Sequence, residues 1–399
     1  MYTIVVGPGR RSRFAPLHID EMKSKNMTLD GLVPTIDAFR IVLETSSDVS
    51  GLARMIAEGR LRADDVIAVT GKTGGFGPNE TSRIDADRAI RRFLLDHGSR
   101  DAGTIDQIPM VFTTGGIGIL TPHVVLYTRT LAAPSTDGAG RLAMGVARSA
   151  IVRPEWMATT KLLEANVDAI RTAAGDAGID PLAIEYVVGK AYYPTKQDFA
   201  DARAAGHDIP QMDDRTLFRR ASGSAGLGVA VATDGMPMPQ VDEIGTRLDL
   251  WSGKVAVSAN PWEPVGGEGP QTQLVAFGNR VGAGGRLRVG HAAMNDALDS
   301  DALYRALRRA GLDAGPGPLT PAQTARVVAV YAKFSITPDG RLRGRRQIVE
   351  NPEYTNLVKA ALGGMFSSIL QDNLVWISGS ATHQGPAGGG TVAAVVDVG

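Results

Sequence analysis

Three stretches of the chain read as short buried strands with a lysine at the end: VIAVTGKT with Lys72, IEYVVGKAYYPT with Lys190 and ARVVAVYAKFSITPDG with Lys333. Their apolar runs are unbroken and rich in Val, Ile and Ala, which predicts strands covered on both faces. Downstream of each lies a second apolar run ending in a small hydroxyl residue: PMVFTTGG with Thr114, GKVAVSAN with Ser258 and LVWISGSA with Ser378. Upstream of each lies another strand pattern, at 36–44, 141–151 and 286–294. An amphipathic helix follows each of these. Leu52, Met55 and Ile56 share one face of the first helix, Leu163, Val167 and Ile170 of the second, and Leu303, Leu307 and Ala310 of the third. The second and third helices end alike, in DAGIDPL and RAGLDAG, where a glycine stops the helix and an aspartate opens a turn. A further helix is predicted between each lysine and its hydroxyl, at DADRAIRRFLLDHG, 221–233 and TNLVKAALGGMFSSIL.

The same order of elements therefore occurs three times. It predicts an α/β protein of three pseudo-symmetric repeats around a central, barrel-like core. Residues 36–132, 141–280 and 286–399 form the repeats, with Gly-rich polar linkers at 133–140 and 278–285 and an added arm at 1–35. The hydroxyl-ending strand is expected to close each repeat. Lysine and hydroxyl stand 42, 68 and 45 residues apart, so the middle repeat carries extra length, expected in KQDFADARAAGHDIPQMDD. Any βαβα chain shows some likeness between its units. The return of Lys and hydroxyl at matching strand ends is what weighs against coincidence.

Composition narrows the function classes. Among 399 residues, Lys+Arg and Asp+Glu balance at 42 each, so no global field recruits nucleic acid or an anionic membrane surface. Cysteine is absent, which excludes disulfides, thiolate nucleophiles and cysteine metal sites. No apolar run has bilayer-spanning length, and the N-terminal apolar run breaks at Gly-Pro-Gly too early for a signal peptide. The expected location is the cytoplasm.

A lysine against an apolar interior is costly unless it has a partner or a task. A serine hydroxyl is a weak nucleophile until a base removes its proton, and a lysine of depressed pKa can be that base. Burial depresses it, and so do neighbouring cations; three lysines converging on one cavity would disfavour one another's protonation. Glycines after the hydroxyls, Gly115 and Gly379, would let backbone N–H groups approach an oxyanion. Together these parts describe acyl transfer by a Ser–Lys dyad. A single such pair reads more simply as a surface lysine and a turn serine; threefold recurrence shifts the balance. His123 and His291 are each isolated and read as hydrogen-bonded structural residues. The GKT at 71–73 is no phosphate loop, because Val66 stands where that motif needs its first glycine. The glycines at 282–290 enter a strand, so they are no dinucleotide fingerprint.

With these residues in view, the chain resembles the cyanuric acid amidohydrolases and barbiturases, ring-opening amidohydrolases with a three-repeat "toblerone" fold. The resemblance covers about residues 36 to 399. It rests on VIAVTGKTGGFGPNETSR, GGIGILTPH, GNRVGAGGRLRVGHAAMNDALD, AKFSITPDGRLRGRR and above all SGSATHQGPAGGG. It implies a homotetramer, a small cyclic amide or imide as substrate, and no organic cofactor. It also implies that each repeat gives one Lys, one Arg and one Ser to a central pocket. The nucleophile belongs to the middle repeat, here Ser258 with Lys190. Lys72, Lys333, Arg83 and Ser378 would bind the ring.

Three positions depart from the family pattern. Threonine, Thr114 or else Thr113, replaces the serine of the first repeat. Ser222, preceded by Arg219 and Arg220, stands at the arginine position of the second, and Asn356 at that of the third. Arginine forks suit planar oxygen acceptors, so a pocket lacking them is less symmetric than cyanuric acid. A structural metal in this family uses backbone oxygens of the HQGPAGGG loop and a glutamate. Ser335 occupies that glutamate position and counts against a metal here. The sequence leaves open which ring is opened, whether the chemistry is hydrolysis or closure of another heterocycle, and whether the pocket only binds.

Overall fold

The computed structural model describes residues 31–75, 80–115, 118–209, 211–260, 270–347 and 355–399; nearly all of the expected N-terminal arm lies outside them. Strands β1 (Val33–Val42), β2 (Val66–Lys72), β3 (Met110–Thr113) and β4 (His123–Ala132) form one sheet in the order β1-β4-β2-β3. Strands β5 (Arg141–Arg148), β6 (Ile184–Tyr192), β7 (Val255–Asn260) and β8 (Gln273–Arg280) repeat it as β5-β8-β6-β7. A small hairpin, β11 (Arg341–Leu342) with β12 (Arg345–Arg346), sits inside the third repeat. There β9 (Leu287–Met294), β10 (Val327–Phe334), β13 (Trp376–Ser378) and β14 (Gly390–Asp397) give the order β9-β14-β10-β13. In every sheet the lysine strand runs parallel to the hydroxyl strand and antiparallel to the last one.

That last strand corrects the expectation that the hydroxyl strand closes each repeat. HVVLYTRTLA, QLVAFGNR and GTVAAVVD each return to pair between the first strand and the lysine strand. Part of the linker expected at 278–285 is thus β8. The physical reason is edge protection: without the fourth strand, the lysine strand would leave one row of its backbone groups unpaired.

Two principal helices cover each sheet: α1 (Ser50–Ala57) and α2 (Ser82–His97), α3 (Lys161–Ala177) and α4 (Asp214–Thr233), α5 (Ser300–Arg309) and α6 (Thr355–Leu370). Helix α3 ends on Gly178 in the left-handed region, as DAGID predicts. Two glycines explain how closely helix and sheet approach. A side chain at Gly145 of β5 would strike the Ala173 carbonyl of α3, and one at Gly290 of β9 would strike α5 at Ala306 and Ala310. The extra length of the middle repeat lies largely where it was expected when measured against the first repeat, whose second helix begins soon after Lys72. KQDFADARAAGHDIPQMDD contains a short helix, Lys196–Ala204, held by a Thr195–Asp198 capping box. The third repeat, however, spans nearly the same number of residues between Lys333 and α6. Measured against it, most of the excess follows α4, in turns between Asp234 and Lys254.

The unbroken apolar runs are explained by two layers of core. One face of each sheet packs on its own helices; in the first repeat Val66, Val69, Phe112 and Leu126 meet Leu52, Ile90 and Leu94. The other faces of all three sheets meet in one central cluster that includes Ala68, Val111, Tyr127, Tyr186, Phe277, Tyr331 and Trp376. Polar tips inside it are paired across repeats: Tyr127 with Tyr331 at 2.6 Å, Tyr331 with Thr70 at 2.8 Å and Tyr186 with Thr391 at 2.8 Å. Trp376 Nε1 donates to the Val111 carbonyl of the first repeat. Trp376→Ala is therefore expected to cost about 3–5 kcal/mol, read as a lower denaturation midpoint. A loss below about 1 kcal/mol would mean that this side chain does not knit the repeats together.

Candidate active site

Backbone register brings the recurring residues together. Lys72 lies beside Thr113, Lys190 beside Ser258 and Lys333 beside Ser378, each pair at the adjoining ends of parallel strands. The register equivalent of the two serines is thus Thr113; Thr114 follows it and acts through its main chain. In the middle repeat Lys190 Nζ lies 3.2 Å from Ser258 Oγ, and in the third Lys333 Nζ lies 3.0 Å from Ser378 Oγ. Lys333 also donates to the Gly379 carbonyl at 2.7 Å. The first repeat differs. Lys72 Nζ donates to the carbonyls of Thr114 (2.6 Å), Gly115 (3.1 Å) and Ile377 (3.2 Å), the last on the third repeat's hydroxyl strand.

Lys72 and Lys333 are fully buried, and Lys190 is less deeply placed. Burial is the main cause of low lysine pKa values here, because it penalises the charged form. It holds Lys72 well below the ordinary range, helped by the charge of Lys359. Burial and then Lys359 bring Lys333 down to about 7. Lys190 is held well below its usual value by burial, then by the charges of Arg83 and Lys333, against a smaller opposing effect of Glu80. Lys333 thus acts on Lys190, and Lys359 acts on both Lys72 and Lys333, which links the three repeats electrostatically.

The other expected residues fall as follows. Arg83, the second residue of α2, is near Lys190 and pairs with Glu80 at 3.6 Å. Gly115 lies beside Lys72, but its N–H donates to the Gly75 carbonyl and is not a free oxyanion donor. Ser222 is buried and returns its hydroxyl to the Phe218 carbonyl of its own helix. Arg220 is turned to the Val241 carbonyl. Asn356, the second residue of α6 as Arg83 is of α2, sits by Gly115. His123 and His291 are both hydrogen-bonded, to the Thr121 carbonyl and to Glu185. Burial pulls His123 down to about 4.

The C-terminal motif also has a physical reason. Gln384 accepts from Val257 N–H at 2.6 Å and donates to its carbonyl at 3.0 Å, clamping β7 one residue before Ser258. His383 accepts from Gly245 N–H through Nε2 and bonds the Leu250 carbonyl through Nδ1. Gly390 lies so close to Lys333 that a side chain there would strike the Lys333 carbonyl. Ser335, where a metal-binding glutamate is expected from the family, receives Gly388 N–H and donates to the Gly389 carbonyl. It offers no carboxylate, and the described residues hold no cluster of three His, Asp or Glu suited to a metal. A metal held as in the family does not fit these residues.

Sequence reasoning missed Glu80, Gln384 and Lys359. For Lys359 a signal existed: it shares the buried face of α6 with Leu362 and Phe366, where a lysine is out of place.

Three lysine–hydroxyl strand pairs thus stand on one threefold-repeated α/β scaffold. The profile of the amidohydrolase ring-opening proteins matches residues 37–397, and the chain belongs to that family, hydrolases that act on cyclic amides. It is 34% identical to Barbiturase 1 of Nocardioides sp. over 91% of this chain and 99% of the relative. It is 32% identical to a cyanuric acid amidohydrolase of Bradyrhizobium diazoefficiens, covering 90% and 98%. A solved cyanuric acid hydrolase, described as an innovation by structural concatenation, superposes with a TM-score of 0.82 at 29% identity, covering 92% and 100%. No helix among the described residues is long and apolar enough to cross a membrane.

Proposed function

We propose that the chain hydrolyses a planar cyclic imide of the barbiturate type through Ser258 and Lys190. The observation that carries this reading is the Lys190–Ser258 contact of 3.2 Å at a lysine whose neutral form is favoured. With Lys190 neutral, the hydrogen bond runs from Ser258 O–H to Nζ. Ser258 Oγ then attacks a ring carbonyl while Lys190 takes its proton. As the C–N bond breaks, Lys190 passes that proton to the leaving ring nitrogen, which stays tethered in the opened acyl-enzyme. Water, deprotonated by the same amine, cleaves the ester and restores Ser258. The product is a linear ureido or carboxy-amide acid. Lys72, Lys333, Arg83, Thr114, Ser378 and Asn356 orient the ring. No organic cofactor enters, because amide hydrolysis moves neither electrons nor an activated group. A homotetramer in the cytoplasm belongs to the same proposal.

Lys72 is a poor rival base, since its bonds go to carbonyls and none to a hydroxyl. The substrate preference follows from asymmetry. Arg83 has no arginine counterpart at Ser222 or Asn356, so three equivalent carbonyls would not meet three equivalent clamps. Assayed side by side, barbiturate is expected to be opened faster than cyanurate. Equal or faster opening of cyanurate would remove the arginine argument. Opening of neither ring would remove the substrate assignment.

A further inference from the structure

The cluster of strand-end lysines has a further cation beside it that the three-repeat pattern does not account for. Lys359 lies on α6 one turn after Asn356, and the residue is 8% exposed. A Cβ built on Gly115 would lie 2.8 Å from Lys359 Nζ and 3.8 Å from Asn356 Oδ1, so both side chains reach the loop that binds Lys72. Among the described residues no hydrogen bond or ion pair meets Lys359, and its own charge bears on Lys72 and Lys333. The repeats explain its origin. Arg83 and Asn356 are each the second residue of their helix; one turn further on, the first repeat has Ala86 and the third Lys359. The third repeat thus carries its cation one turn further along the helix than the first.

We propose that Lys359 is a substrate-binding residue that receives an anionic oxygen of the ring, so that the site selects the ring as its monoanion. The inference rests on the ring-opening reading above. Burying an ammonium is unfavourable unless an anion arrives. Among the described residues the causes acting on Lys72, Lys333 and Lys359 include no carboxylate, and Glu80, which bears on Lys190, is paired with Arg83. An acidic ring imide, its negative charge spread over carbonyl oxygens, supplies that anion. A neutral ring of the same shape does not. Burial brings Lys359 to about 8, which leaves it mostly charged at neutral pH, and a bound anion would favour that charged form further.

The test is calorimetric titration at pH 7 in a Ser258→Ala background, where no turnover interferes. The probes are barbiturate, a monoanion, and dihydrouracil, a neutral ring of the same size. Adding Lys359→Met is expected to weaken barbiturate about 10- to 100-fold while changing dihydrouracil less than about threefold, or leaving its binding undetectable as before. Lys359→Arg should restore most of the loss. In the enzyme with Ser258 intact, the same change should raise KM and alter kcat much less. Lys359→Gln serves as a second neutral variant if the methionine variant melts early. Equal weakening of both rings, or none for barbiturate, overturns the inference while ring opening by the intact enzyme stands. An intact enzyme that opens neither ring overturns the substrate reading and this inference together.

Discussion

Ser258→Ala is expected to reduce ring opening by about 10⁴- to 10⁶-fold while ligand affinity stays within about tenfold, or ~1.4 kcal/mol. A nucleophile's oxygen is used in the transition state far more than in ground-state binding, so kcat and affinity should separate. The comparison with Ser378→Ala gives the prediction its force. The two serine–lysine pairs are nearly superimposable in distance, 3.2 Å and 3.0 Å, and both serines are 6% exposed. Geometry within each pair does not choose between them; the proposed choice rests on the surroundings. Lys333 is tied to the Gly379 carbonyl as well as to its serine, whereas Ser258 Oγ is the one partner of Lys190 among the described residues. Gln384 further holds the strand that delivers Ser258. Ser378→Ala should therefore cost only about 10²–10³-fold, the scale of an oxyanion-supporting group. Rates from stopped assays and affinities from calorimetry on the same preparations would decide it. If Ser378→Ala is the dead variant and Ser258→Ala remains active, the reacting repeat is the third.

The repeat was legible because its strands are buried on both faces. Unbroken Val/Ile/Ala runs ending in Lys or a hydroxyl stand out against any loop, and register then brings the paired ends together without further instruction. The fourth strand of each sheet was less legible. Its apolar runs follow the hydroxyl strands after loops that read as terminators, and nothing local distinguishes a strand that inserts between two others from one that ends a unit. The positions of Lys72, Lys190 and Lys333 could be read from strand ends, yet their hydrogen bonds could not. Whether Lys72 meets a hydroxyl or carbonyls depends on where Thr113 and Thr114 fall in the register, a difference of one residue. Lys359 was visible as a lysine in an apolar helix. What it faces depends on how α6 sits against the Gly115 loop of another repeat, and such long-range packing has no periodic signature. Arg220 shows the converse. A cation adjacent in sequence to an expected site residue is drawn to a nearby carbonyl by the turn after its own helix.

Lys190→Met is expected to be nearly as damaging to turnover as Ser258→Ala, about 10⁴-fold or more, and the double variant no worse than the single one, because the two groups act as a unit. The same change should make the protein more stable at neutral pH. A lysine whose folded pKa lies below its unfolded value binds fewer protons folded than unfolded between those two values. Stability then rises with pH across that window, and below it the folded state carries the full cost of a buried charge. Methionine has a similar shape and no charge, so the advantage of the variant should be largest at low pH and shrink as pH rises toward the ordinary lysine range. Catalysis supplies an independent check on the same charge balance. The acid limb of kcat/KM reports loss of the neutral amine in the free enzyme. Arg83 lowers the pKa of Lys190, so Arg83→Gln should raise that pKa and move the acid limb to higher pH, beyond any effect on KM. A Lys190→Met protein that keeps its activity, or an acid limb that ignores Arg83, would mean that another group removes the serine proton. If both effects appear together, the cost of burying Lys190 is what makes it a base.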